Sequence, residues 1–578
     1  MALTVAYEGL GVIANADQVT DDTGGLGTGD WGELGAGYID VNPDVYLYGS
    51  ASMGSQYASK VGYSYFDRVT PINFDSTWAG NFIYMWINIS AKGAFTTADS
   101  FCVRIGTSNS ANYNDYFLAN KNDSNGWAGG WKLFVIDPTK TRTSGNGTLD
   151  LTSVRYFGNY IATDVSVRAD SIWWSQMAVA KGLRILGTST TGWADAVAYC
   201  TDYSNRAWGV LQQREGIYFV YGGLWIGSST ASTATSFVTA GRVIQFGVSE
   251  YRNASTNWVT SYPNTANTLV IEDQNGYETI FQDGEIVGSD AGRSGSQFIG
   301  DPNSTISMTL YSGNDASSVT KLYGTTFKDI KGTIILGSNT SNQYFSNTFQ
   351  GCGVMTLGTS SVQNTLFIGQ LGLITAGGGV LKNCNFISAT VPVALLWDVA
   401  VAPGGNLDGT AFYSTGTGHA IELGTNCPSS ITLNNMAFND YGADDTTNAA
   451  IYNNSGKAIE ISLVGTSQPT VRNGGGASTT FPSSIELKMI VKNEAGVGIN
   501  GALAFIDDND ETPYIMNTVT AQDAGVDGVA KVTHTEGPVT GARWRVRKYG
   551  YKNFKQLIDI EGINISLPVT LVVDPQQT

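Results

Sequence analysis

The chain has 578 residues, 42% hydrophobic and 11% aromatic but only 14% charged, so it is not disordered and has length for about three domains with cores of their own. Its net charge of −17 argues against a general role on nucleic acid, whose phosphates demand clustered Lys and Arg; the acidity mainly serves solubility. Seventy glycines, abundant Ser, Thr and Asn, and almost no long helical pattern point to an all-β chain with many tight turns.

Five cysteines (Cys102, Cys200, Cys352, Cys384, Cys427) form no CxxC pair, and His419 and His534 are the only histidines. No zinc site and no cofactor are expected from such a set. Cys384 reads as a small buried residue, and the odd count suggests assembly in a reducing cytoplasm. The first residues carry no positive segment and no apolar run approaches about 20 residues, so neither export nor membrane insertion is expected.

Residues 1–30 end in a polar, glycine-rich stretch that reads either as an arm docking on a neighbour or as a frayed terminus. From 31 to 290, short apolar strands such as Phe82–Ile89, Phe101–Ile105 and Trp131–Ile136 alternate with Gly/Asn/Asp/Ser turns, without helices between them. That density predicts a two-sheet antiparallel sandwich. Trp127, Trp131, Trp173, Trp174 and Trp225 are candidates to stack on sugar rings, with burial in the sandwich core as the competing reading. Asp115, Asp137, Asp164 and Asp170 fall in turns, but no ordered D-x-D-x-D loop accompanies them, which favours solvated turns over calcium ligands.

Between 322 and 438 one six-residue phrase recurs: Leu322–Phe327, Tyr344–Phe349, Val362–Phe367, Leu381–Phe386, Leu407–Phe412 and Leu433–Phe438. The closing phenylalanines lie 22, 18, 19, 26 and 26 residues apart, the signature of a solenoid. In a continuous strand the first and last residues of the phrase would face opposite ways. A bend at the third position, which is Gly or Asn in five copies, lets both turn inward. Short apolar triplets follow each phrase, so residues 291–478 read as stacked rungs with flanking domains as end caps.

The solenoid's carboxylates bear on catalysis. Asp329 and Asp440, two residues after closing phenylalanines, stand five rungs or about 24 Å apart, too far for the roughly 5–9.5 Å that glycoside hydrolysis requires. Asp398, Asp408, His419 and Glu422 form a tighter candidate set, although Glu422 alternates with Ile421 and Leu423 and so points to solvent. No catalytic residue is assigned beyond this alternative.

Gly474–Ser484 reads as a linker, and 479–578 holds a last β-sandwich. There Arg543, Arg545 and Arg547 alternate with Trp544 and Val546, one basic and one buried strand face, with Lys548, Lys552 and Lys555 following. The basic face is a solvated surface, a contact to an acidic partner, or a site for an anionic glycan.

These segments carry three resemblances. The strand order from Phe82 to Asp137 resembles the laminin-G/concanavalin-like jelly rolls; the rungs resemble the right-handed parallel β-helix of phage tailspikes and pectate-lyase-like proteins. "Val-Lys-Asn-Glu-Ala-Gly" followed by "Gly-Ala-Leu-Ala-Phe-Ile" and "Lys-Tyr-Gly-Tyr" resembles the prealbumin-like, carboxypeptidase-regulatory-like, Ig-like sandwich. Together they resemble a bacteriophage virion protein of the spike or fibre type. The resemblance implies a projecting structural and adhesive homotrimer, made in the host cytoplasm, whose partners are other virion proteins at tail or capsid and a host surface glycan. The alternatives are a glycan depolymerase and a bacterial surface adhesin.

Overall fold

The computed structural model describes residues 2–576 apart from 16–28, 35–36, 43–51, 58–60, 90–100, 120–130, 140–143, 163–166, 190, 203–206, 208, 215, 240, 247–258, 263–267, 273–276, 284–295, 301–306, 311–318, 388–389, 482–484, 509–513, 535–538 and 562. The fold is all-β, as its composition predicts, with one helix among the described residues. It divides into two compact units, Met1–Ile374 and Thr375–Thr578.

In the first unit, two antiparallel sheets face each other. One runs Ser144–Asn146, Tyr113–Ala119, Phe101–Gly106, Val154–Ala162, Val61–Ile72 and Gly29–Leu34; the other is built on Trp131–Ile136, Phe82–Ile89, Val167–Ala180, Ser52–Tyr57 and Gly37–Asn42. Alternate residues of each strand close the core: Ile83, Met85 and Ile87 from one sheet pack with Phe66, Val103, Ile105 and Phe157 from the other.

Parallel pairing begins at Gly182–Leu186, which pairs with Gly223–Gly227. The sandwich therefore gives way to rungs about a hundred residues earlier than the boundary at 290, and Val259–Tyr262 returns to pair in parallel with Leu133–Ile136. Early rungs escape notice because they lack the six-residue phrase; each still sends apolar residues inward, Tyr218 and Val220, Ile244 and Phe246, and Phe298. The expected arm is also corrected: Thr4–Glu8 pairs antiparallel with Gly182–Leu186, covering that strand's free edge, and Gly11–Asn15 joins the sandwich. Residues 16–28 lie outside the described residues. Arg184 fastens the edge, pairing with Glu8 at 2.6 Å and Glu272 at 2.5 Å. The helix Trp193–Thr201 completes the cap, its fully buried Trp193 set edge-on to Phe237 at 5.2 Å.

The third position of all six phrases has positive φ: Gly324 66°, Ser346 58°, Asn364 51°, Asn383 52°, Gly409 73° and Asn435 50°. The predicted bend is thus present even where serine stands. A second bend follows the closing phenylalanine, at Asp329, Gly351, Gly369 and Asp440, so both aspartates occupy left-handed corners. The phenylalanines stack, Phe327 on Phe349 at 4.7 Å and Phe349 on Phe367 at 5.4 Å, with ring planes within 9°. Polar side chains at the fourth position also point inward and hydrogen-bond to the first residue of the previous phrase: Asn347 donates to the Leu322 carbonyl and Thr365 to that of Tyr344.

The second unit repeats this arrangement. Phe412 stacks on Phe386 at 4.6 Å and on Phe438 at 5.7 Å, and Thr410 donates to the Leu381 carbonyl. A seventh, unpredicted copy begins at Leu463, with Gly465 at φ 61° and Thr466 donating to the Leu433 carbonyl; Gln468 replaces its phenylalanine. The segment expected as a linker holds a last rung strand, Ser478–Thr480, paired with Ala458–Glu460. Beyond it two four-stranded sheets enclose Leu487, Met489, Ala504, Ile506, Trp544 and Val546.

Candidate functional site: a polar concavity on the rungs

Three rung strands of the second unit, His419–Leu423, Ile451–Asn453 and Val471–Asn473, pair in parallel and put Ile421, Ile451 and Val471 in one inward column. The next residue on each strand must then face outward. Glu422, Tyr452 and Arg472 accordingly stand in register on three successive strands. With Pro392, Thr417 and His419 they line a concavity of about 490 Å³, within the size range of small-ligand sites. Its rim requires glycine: Gly418 has φ 77°, and a Cβ there would stand 2.6 Å from the Val391 carbonyl oxygen.

The polar groups are held firmly. His419 Nδ1 lies 2.6 Å from the Ala449 carbonyl oxygen, which can only accept, so Nδ1 carries the proton and Nε2 is left as an acceptor. Burial, aided by the positive charge of Arg472, holds the imidazole below its ordinary value, against the Ala449 bond and Glu422, which raise it. The ring stacks on Tyr452 at 4.9 Å, and the Arg472 guanidinium carbon lies 5.3 Å from the centre of the same tyrosine ring. Glu422 points outward, as its alternation predicts, and accepts a hydrogen bond from Asn454 Nδ2 at 2.7 Å.

The candidate catalytic set does not assemble. His419 and Glu422 share the concavity, but Asp398 accepts the Asn426 backbone N–H at 2.7 Å and Asp408 accepts Asn435 Nδ2 at 2.8 Å, and neither lines it. Both stabilise turns instead. Tyr452 and Arg472 were missed, although Ile421-Glu422, Ile451-Tyr452 and Val471-Arg472 share one inward–outward pattern that could have revealed them.

Two of the five tryptophan candidates are corrected. Trp174 is fully buried in the sandwich core, 6.4 Å from Trp31, and Trp173 is 8% exposed, so neither offers a face to a sugar. Trp131 and Trp225 are half-buried, and Trp225 lies over Gly223; Trp127 falls outside the described residues. Asp115 is paired with Arg104 at 2.6 Å, and Asp137 caps its own turn by accepting the Thr139 N–H and hydroxyl. Asp164 is outside the described residues, as is the side chain of Asp170.

The basic strand face also has an internal use. Arg543 Nε pairs at 2.6 Å with Asp507, whose side chain is fully buried, and Arg545 pairs with the other carboxylate oxygen. Lys548 donates to the carbonyls of Asn500 and Gly501 at 3.1 and 3.0 Å, leaving Arg547 exposed. These contacts give Arg543, Arg545 and Lys548 partners within the sandwich itself. All five cysteines are free and buried, and burial pushes the Cys200 and Cys352 thiols up to about 12.

No family model matches the chain, and no curated protein matches it. Among solved structures, PfGH50B is 10% identical over 26% of this chain and 22% of its own, with a TM-score of 0.19. The catalytic domain of a GH87 alpha-1,3-glucanase in complex with nigerose is 10% identical over 83% of this chain and 85% of its own, with a TM-score of 0.17. Likenesses this remote carry no argument about activity.

Proposed function

We propose that this protein is a structural and adhesive component of a virus particle, of the spike or fibre type, that binds a host-surface glycan without cleaving it. The observation that carries the non-catalytic part is the fate of the carboxylates: Asp398 and Asp408 bind Asn426 and Asn435 away from the concavity, and Glu422 is the one carboxylate that lines it among the described residues. Hydrolysis by paired carboxylates requires two, about 5–9.5 Å apart. The virion assignment rests on the architecture, a sandwich followed by stacked rungs and a terminal sandwich, which is analogy. In this reading the chain forms a homotrimer in the host cytoplasm and attaches to other virion proteins at tail or capsid.

Mass spectrometry of purified particles should find the chain, and its absence there would sink the proposal. Light scattering of the isolated protein should give three copies; a monomer at micromolar concentration counts against a self-standing spike. A second reading, glycan depolymerase, is favoured by His419, its imidazole held below its ordinary value by burial, in one concavity with Glu422. It requires release of reducing ends from host polysaccharide, lost in Glu422→Gln.

A further inference from the structure

The concavity holds a cation that is in no ion pair among the described residues. Arg472 makes no ion pair among the described residues, in a chain with 49 acidic against 32 basic side chains, and its guanidinium is kept in place over the Tyr452 ring. A planar guanidinium so placed matches a carboxylate through two parallel N–H···O bonds. Along the same row stand hydroxyl-binding groups: His419 Nε2 as an acceptor, and the Glu422 carboxylate oxygen that Asn454 does not engage. Glu422, Tyr452 and Arg472 occupy successive strands, so the row spans two strand spacings, roughly 10 Å. That is longer than one pyranose ring.

The tyrosine cannot serve as a stacking platform, because the His419 ring lies against it from the preceding rung and Arg472 from the following one. Recognition here is by hydrogen bonds and charge. We infer that the concavity binds an acidic oligosaccharide, with a uronate-type carboxylate on Arg472 and hydroxyls on His419 and Glu422. The inference deepens the adhesive reading, on which it rests, by naming the ligand chemistry and the residue that selects it.

Calorimetric titration of the full chain with tetragalacturonate, a sulfated heparin tetrasaccharide and neutral maltotetraose tests it. Tetragalacturonate should bind at least tenfold more tightly than the other two, and Arg472→Gln should erase that preference while Arg472→Lys keeps part of it. Thr417→Trp, which fills the concavity from its rim and leaves Arg472 in place, should abolish binding with the melting temperature unchanged. Equal binding of acidic and neutral oligomers, tighter binding of the sulfated one, or an Arg472→Gln variant as good as the parent overturns the assignment. Arg472-dependent binding by a protein missing from particles would defeat the virion reading and leave the site standing. Particles that carry the chain and adhere, with no Arg472 dependence in the isolated protein, would do the reverse.

Discussion

In the rungs, buried polar side chains recur along the stack, Asn347, Thr365 and Thr410 each returning a hydrogen bond to the preceding phrase; in the terminal sandwich one carboxylate, Asp507, is gripped by two arginines. The first arrangement spreads polarity into many neutral bonds worth about 1 kcal/mol each. The second concentrates it in a charged cluster whose parts are costly when separated. A stack of near-identical rungs can distribute its polar contacts because each rung sees the same neighbour. A sandwich with unique strand pairs can satisfy a buried charge only where a particular register brings the partners together.

The largest effect expected is in the aromatic column. Phe349→Ala, between Phe327 and Phe367, should cost about 3–5 kcal/mol, read as a lower urea midpoint. A loss below about 1 kcal/mol would mean the rungs do not depend on the stack. Next comes Asp507→Ala, which leaves Arg543 and Arg545 partly buried without their anion and should cost about 3 kcal/mol. If Arg543→Ala and Asp507→Ala simply add in the double variant, the clamp is not a unit.

A bend should matter less. Asn364→Ala, at φ 51°, should cost about 1 kcal/mol, whereas Asn364→Gly should be close to neutral; equal effects would remove the bend as the reason for Asn. The smallest effect is the pH response of His419. Its folded value is depressed, so between that value and about 6.5 the unfolded chain binds more protons. Stability should therefore fall as pH drops through about 6.5 and stop falling below the folded value. Melting curves from pH 7 to 5 should show a steeper decline for the parent than for His419→Phe, and parallel declines would dismiss the effect.

Where a property depends on neighbours a few residues away, the sequence discloses it. The bend follows from the apolar character of the first and last residues of each phrase, as at Leu322 and Phe327, and from the tolerance of Gly or Asn between them in five copies, and the outward Glu422 follows from Ile421 and Leu423. Trp544 and Val546 are buried while Arg543, Arg545 and Arg547 share the other face, as alternation requires. The start of the rungs at Gly182 is not legible in the sequence, because the early rungs lack the phrase.

The residues themselves determined that this is an all-β chain with a bent, stacking repeat, since strand alternation and left-handed corners are local steric facts. Only the tertiary structure decided which polar groups meet. Asp507 lies 36 residues from Arg543, and His419, Tyr452 and Arg472 come from three different strands. Strand register joins them, and register is set by which apolar faces close the core together, a choice made by the whole fold.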